Sequence, residues 1–138
     1  MPVRCVIVDD SPEFLRTASE LLEGEGINVV GAVSTGAQAC RTCRQLKPDV
    51  ALVDIDLGAE TGFDVARQLA GHSGTGPPLV ILISASGISA SAADDFADMM
   101  ADSRAVSFLL KECLSGAAIR GILARVSSAG PPPQRNSR

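Results

Sequence analysis

Five apolar runs mark the chain: VRCVIV (3–8), INVVGAV (27–33), VALV (50–53), PLVILI (78–83) and AVSFLL (105–110). Each is nearly unbroken and rich in Val, Ile and Leu. Strands buried on both faces of a parallel sheet have this pattern, whereas half-exposed strands alternate. Between the runs, apolar residues return at helical spacing. Phe14, Leu15, Ala18, Leu21 and Leu22 form the first such set, with Ser11 placed to cap it, Pro12 at the first helical position, and Gly24 and Gly26 to end it. A second helix carries Ala39, Cys40, Cys43 and Leu46 on one stripe and stops before Pro48. A third comes after Gly62, with Phe63, Ala66, Leu69 and Ala70 inward; a fourth spans 91–100, with Phe96 and Met100 four apart; a fifth carries Ile119, Ile122, Leu123 and Val126. Strand and helix alternate five times, which predicts a doubly wound α/β domain around a parallel sheet over residues 1–126. The closing SSAGPPPQRNSR (127–138) has no apolar period and reads as a disordered tail or the stub of a linker.

Composition narrows this picture. The 138 residues suit one domain, and the 46% apolar content can fill its core. That core must be aliphatic, because there is no Trp or Tyr and only four Phe. Twelve basic against 16 acidic side chains give a net charge of −4, which is not the footprint of a nucleic-acid-binding domain. No apolar run approaches the roughly 18 residues of a membrane span. The opening MPVRCVIVDD runs into two aspartates and is no signal peptide, so a cytoplasmic, reducing location is expected for the four cysteines. Cys40 and Cys43 form a lone CxxC, but a structural zinc site needs about four ligands and the only histidine, His72, lies in another segment. Both thiols are expected to pack as small apolar side chains.

The chemistry lies just past the strand ends. The first run ends in Asp9-Asp10, the third in Asp54 with Asp56 two further on, the fourth in Ser84, and the fifth in Lys111. Ligands of open parallel sheets bind outside the carboxyl ends of the strands. An aspartate after a strand is often only a cap or a turn residue, but polar groups placed alike at four strand ends, aspartates at two of them, argue against coincidence. Crowded carboxylates repel one another, and a divalent cation removes that cost. Hard oxygen ligands with room for water suit Mg²⁺. A lysine supplies a point charge for phosphate oxygens, and a serine hydroxyl a hydrogen-bond donor. No glycine-rich cradle comes after the first strand, so a nucleotide is not indicated.

VDDSP, VDIDLGAETG, ISAS and FLLKE, after the first, third, fourth and fifth strands, together resemble the receiver domain of two-component response regulators over about residues 3–126. The resemblance implies a flavodoxin-like (βα)5 fold of strand order 2-1-3-4-5, with helices on both faces. It implies that Asp54 takes a phosphoryl group from the phosphohistidine of a sensor histidine kinase. Asp10 and Asp54 would ligate Mg²⁺ (or Mn²⁺), with Asp9 assisting through water and Asp56 offering its backbone carbonyl. Ser84, the backbone of Ala85 and Lys111 would bind the phosphoryl group, and Phe108 would be the aromatic switch. Asp56 and Ser86 would tune the lifetime of the aspartyl phosphate. The output would pass through the face of the fourth helix, fifth strand and fifth helix to an effector or a second copy. The chain would bind no nucleic acid or membrane itself and would not be a turnover enzyme.

Several positions depart from the family pattern. Gly58 and Glu112 stand where relatives often have proline, Phe108 lacks the hydroxyl of tyrosine, and ADSRAVSF lacks the usual glycine before the fifth strand. Gly58 is expected to loosen its loop, and Phe108 can switch only by packing. Residues 127–138 leave no room for a DNA-binding output, which would have to lie beyond Pro133 in a longer chain. Two other readings compete. One is a receiver-like interaction module that no longer uses phosphate, against which the complete Asp, Ser and Lys set argues. The other is a phosphatase of haloacid-dehalogenase type, whose DxD motif DIDLG resembles; there the motif comes after the first strand, but here it comes after the third.

Overall fold

The computed structural model describes residues 2–73, 78–85 and 93–128. In chain order these form β1 (Arg4–Val8), α1 (Pro12–Gly24), β2 (Asn28–Val33), α2 (Gly36–Leu46), β3 (Val50–Asp54), α3 (Gly62–Ser73), β4 (Leu79–Ser84), α4 (Ala93–Ser103), β5 (Ser107–Leu110) and α5 (Gly116–Ser128). A single 3-10 turn, Lys111–Cys113, joins β5 to α5. The sheet runs β2-β1-β3-β4-β5 with every pair parallel, the expected order.

Alternate residues of the central strands feed two cores. Cys5 and Ile7 of β1, Val50 and Leu52 of β3, and Ile81 and Ile83 of β4 pack against Ala18 and Leu22 of α1 and Ile119 and Ile122 of α5. Val6, Val8, Ala51, Val53, Val80 and Leu82 face the other way, onto α2 and α3, with Phe96 and Met100 of α4 against the same cluster. Both faces of β1, β3 and β4 are covered, as their unbroken apolar runs require. β2 and β5 read the same way in the sequence but lie at the sheet edges, and none of their residues is fully buried.

Ser11 caps α1 as expected, its Oγ accepting from Phe14 N at 3.2 Å, and Gly26 leaves the helix at φ +87. Leu21 and Leu46 miss their stripes and are 41% and 38% exposed. Helix α4 extends to Ser103, three residues beyond the expected end; its start near residue 91 lies outside the described residues. The missing glycine before β5 explains why the sequence carried no stop signal there. Arg104 adopts the left-handed conformation itself at φ +66, and Ser103 Oγ closes the turn by donating to Met100 O (2.8 Å) and accepting from Ala105 N (3.2 Å). Helix α5 runs to Ser128, two residues past the boundary read from the sequence; residues 129–138 lie outside the described set.

Cys5, Cys40 and Cys43 are buried free thiols, and Cys113 is exposed. Burial, together with the neighbouring thiol, pushes Cys5 up to about 12 and Cys43 to about 11, and burial also raises Cys40. Such thiols carry almost no thiolate at neutral pH and are poor nucleophiles. In native protein a disulfide reagent such as Ellman's should therefore titrate one cysteine quickly, Cys113, and the other three only on unfolding. Prompt reaction of two or more would contradict this packing.

Candidate functional site

Strand register assembles the site. Val8 pairs with Val53, so Asp9 comes after β1 beside Asp54. Asp54 pairs with Ile83, so Ser84 stands one step on in the next strand. Ser84 in turn pairs with Leu110, so Lys111 comes next. Asp54 and Ser84 are the last residues of their strands, one place beyond the apolar runs.

Asp9 is wholly buried and Asp54 nearly so. Lys111 Nζ sits between them, 2.6 Å from Asp9 Oδ2 and 3.1 Å from Asp54 Oδ2. The other oxygens are held by backbone: Asp9 Oδ1 accepts from Ser11 N (2.8 Å), and Asp54 Oδ1 from Asp56 N (3.0 Å). Among the described residues Asp9 Oδ2 has the lysine as its counter-charge and no other hydrogen-bond partner. Asp10 is exposed and completes a cluster in which one oxygen each of Asp9, Asp10 and Asp54 lies within 4.8 Å of the others. Among the described residues this is the one group of three or more His, Cys, Asp or Glu side chains close enough to share a metal ion. Three hard carboxylate oxygens this close together fit Mg²⁺ or Mn²⁺.

Burial raises the Asp54 carboxyl above its ordinary range. The Asp56 amide and Lys111 pull it back, and the Asp9 carboxylate pushes it up again. Burial works against charge on Lys111, but the two carboxylates outweigh it and its pKa is raised. Because folded Asp54 binds its proton more tightly than the unfolded chain does, its ionised form costs the fold stability above the folded pKa. That cost fades as pH falls toward the unfolded value. Metal-free Asp54→Asn should thus melt higher than wild type at neutral pH, with a gap that narrows as pH falls toward the ordinary carboxylate range. Thermal melts across that range check the sign; an Asn variant that melts lower at neutral pH would refute it.

The loop after Asp54 is tied rather than loose. Leu57 N donates to Glu60 O (3.1 Å), and Gly62 N to Ile55 O (2.7 Å). Glu60 Oε2 accepts from Gly36 N at the start of α2 (2.8 Å). Gly58 sits at φ +78 and donates its N–H to Asp56 Oδ1 (3.1 Å). Proline supplies neither that conformation nor that donor, so Gly58 serves this loop, contrary to the expected loosening. The Asp56 side chain, exposed but engaged with Gly58, is part of the same turn.

Ser84 is half-buried and Ala85 exposed at the end of β4; Ser86 lies outside the described residues. Phe108 is half-buried on β5, its ring edge-on to Phe96 of α4 at 5.1 Å, and Phe96 meets Phe63 of α3 at 5.8 Å. This aromatic chain joins the site's flank to α4. One contact has no sequence signal: Lys111 Nζ lies 4.2 Å from the centroid of the Phe14 ring. In the sequence Phe14 reads only as an inward helix residue, and nothing local pairs it with a lysine four strands later.

Fold and site together define a flavodoxin-like α/β domain with a carboxylate–lysine site at the carboxyl edge of its sheet. Residues 5–122 match the response regulator receiver domain, and the chain belongs to that family. It is similar to the DNA-binding response regulator MtrA of Mycolicibacterium smegmatis, 37% identical over 82 residues, which is 59% of this chain and 35% of MtrA. It is also similar to a protein-glutamate methylesterase/protein-glutamine glutaminase of Idiomarina loihiensis, 37% identical over 70 residues, half of this chain and 18% of that protein. The matches thus span about a third or less of these relatives. Among solved structures, the signal receiver domain of a modulated diguanylate cyclase from Desulfovibrio desulfuricans superimposes with TM-score 0.72 at 25% identity, covering 91% of this chain and 93% of that one. A two-component response regulator of the LuxR family from Aurantimonas gives TM-score 0.76 at 20% identity, over 93% and 87% of the two chains, a likeness of fold. No helix among the described residues is long and apolar enough to cross a membrane.

Proposed function

We propose that this chain is a phosphorylatable signalling receiver in which Asp54 is the acceptor. The observation that carries this reading is the Asp9–Lys111–Asp54 arrangement, an aspartate oxygen held beside a lysine at the edge of an acidic cluster. An Asp54 carboxylate oxygen attacks phosphorus, the P–N bond to the histidine of a sensor kinase breaks, and the imidazole leaves with the bonding pair. Lys111 neutralises charge on the transferred group, while the Ser84 hydroxyl and the Ala85 backbone donate to its oxygens. Transfer of this kind is mainly positioning and charge neutralisation. Asp10 and Asp54, the Asp56 carbonyl, and Asp9 through water would hold Mg²⁺ or Mn²⁺, which supplies positive charge to the transferring oxygens when bound. Asp56 and Ser86 would set how long the aspartyl phosphate lasts.

The signal then leaves through α4, β5 and α5, with Phe108 repacking against Phe96. The receiver extends through the end of α5 at Ser128, with what comes after it a tail or linker to an output. It works in the cytoplasm without turnover chemistry of its own, and an effector or second copy reads the changed face. The Asp56 carboxylate, already engaged by its own loop, is poorly placed as the acid/base of a DxD phosphatase. Intact mass after exposure to acetyl phosphate tests the reading. One phosphoryl group should appear with Mg²⁺ and be suppressed by EDTA. A receiver can refuse a small-molecule donor, so the cognate kinase is the second donor, and no adduct from either overturns the proposal.

A further inference from the structure

Among the described residues Lys111 is held by three partners, two of them charged. Its ammonium pairs with Asp9 and Asp54 and lies over the face of Phe14 at 4.2 Å. Phe14 is set there by its own helix start: its amide donates to Ser11 Oγ, and Ser11 N donates to Asp9 Oδ1, so one turn of chain orients both the ring and the carboxylate. The ring packs against the core on the α1 and α5 side of the sheet, which fixes its face. The two carboxylates are also the groups a divalent cation would claim. Their hold on the lysine therefore weakens when the site is charged for reaction, and a cation entering the cluster repels the ammonium besides. An aromatic face attracts a cation through its quadrupole and takes no part in that competition.

We propose that Phe14 is a positioning residue that keeps the Lys111 ammonium in the site when Asp9 and Asp54 turn to the metal. The inference rests on the proposed receiver chemistry, but its first consequence can be read without it. A methylene next to an ammonium that sits over a ring has its protons shifted upfield. In wild type the Lys111 ε-protons should be upfield of the other lysine's, Lys47, and should stay so as Mg²⁺ is added. In Phe14→Leu the shift should be lost.

The second consequence is kinetic. Phe14→Leu should take phosphoryl groups from acetyl phosphate about fivefold more slowly at saturating Mg²⁺, the scale of an exposed-to-partly-buried cation–π contact. Phe14→Tyr, which keeps the face, should recover the rate lost in Phe14→Leu. Trifluorophenylalanine at position 14 keeps nearly the same shape but drains the face of charge, so it should be as slow as leucine if the quadrupole matters. A trifluorinated variant as fast as wild type, with an unchanged melting point, overturns the inference, as do Lys111 protons that lose their upfield shift in wild type on adding Mg²⁺. If wild type accepts no phosphoryl group from acetyl phosphate or a kinase, the receiver chemistry fails, and the resonance measurement still decides the placement of Lys111.

Discussion

Gly62→Ala should cost the fold about 3 kcal/mol, at the upper end of what an overpacked site costs, and should take phosphoryl acceptance with it. A Cβ on Gly62 would lie 2.2 Å from Asp54 O and 2.8 Å from Ile55 Cα. Both are backbone atoms, one in the last residue of β3, so no flexible side chain can move aside. The start of α3 could make room only by drawing back from Asp54, which breaks the 2.7 Å bond from Gly62 N to Ile55 O and shifts the carboxylate from Lys111. Gly24, near the end of α1, is the control: nothing lies within 4 Å of a Cβ there, so Gly24→Ala should be neutral or slightly stabilising. Urea unfolding of the two variants checks the contrast. Gly62→Ala with wild-type stability would show that β3 and α3 do not approach as closely as described.

Lys111→Met should destabilise the metal-free protein by about 2 kcal/mol, less than the roughly 3–5 kcal/mol of a fully buried broken pair because the lysine keeps some solvent contact. Methionine preserves most of the length and can still lie against Phe14. It leaves the wholly buried Asp9 and the nearly buried Asp54 facing each other without a counter-charge. Unfolding curves with and without Mg²⁺ separate lost charge from lost packing. Saturating Mg²⁺ should close much of the gap between variant and wild type, because it supplies charge to the same carboxylates. A gap that ignores Mg²⁺ would mean that the lysine stabilises through its stem alone.

Much of this was legible in sequence because a buried parallel strand leaves an unmistakable apolar run, and the first polar residue after each run marks the sheet edge. That logic located Asp9, Asp10, Asp54, Ser84 and Lys111 without any contact information, and the register then aligned Asp9, Asp54, Ser84 and Lys111 along one edge. Strand order came from family resemblance, since an alternating pattern does not fix it. What stayed hidden depends on conformation or on distant neighbours. Arg104 in a left-handed turn and Gly58 as a donor to Asp56 are backbone facts without a composition signal. The exposure of Leu21 and Leu46 depends on where a helix stripe ends against the sheet. The cation–π contact joins β5's end to α1, and no local pattern links the two.

Asp54, and not its neighbour two residues on, is the proposed acceptor. The direct measurement is intact mass and peptide mapping of wild type, Asp54→Asn and Asp56→Asn after incubation with acetyl phosphate, or a cognate kinase, and Mg²⁺. Wild type and Asp56→Asn should each gain a single phosphoryl group, mapped to Asp54 in both, and Asp54→Asn should gain none. A phosphoryl group retained in Asp54→Asn, or one lost in Asp56→Asn while that protein remains folded, would contradict it.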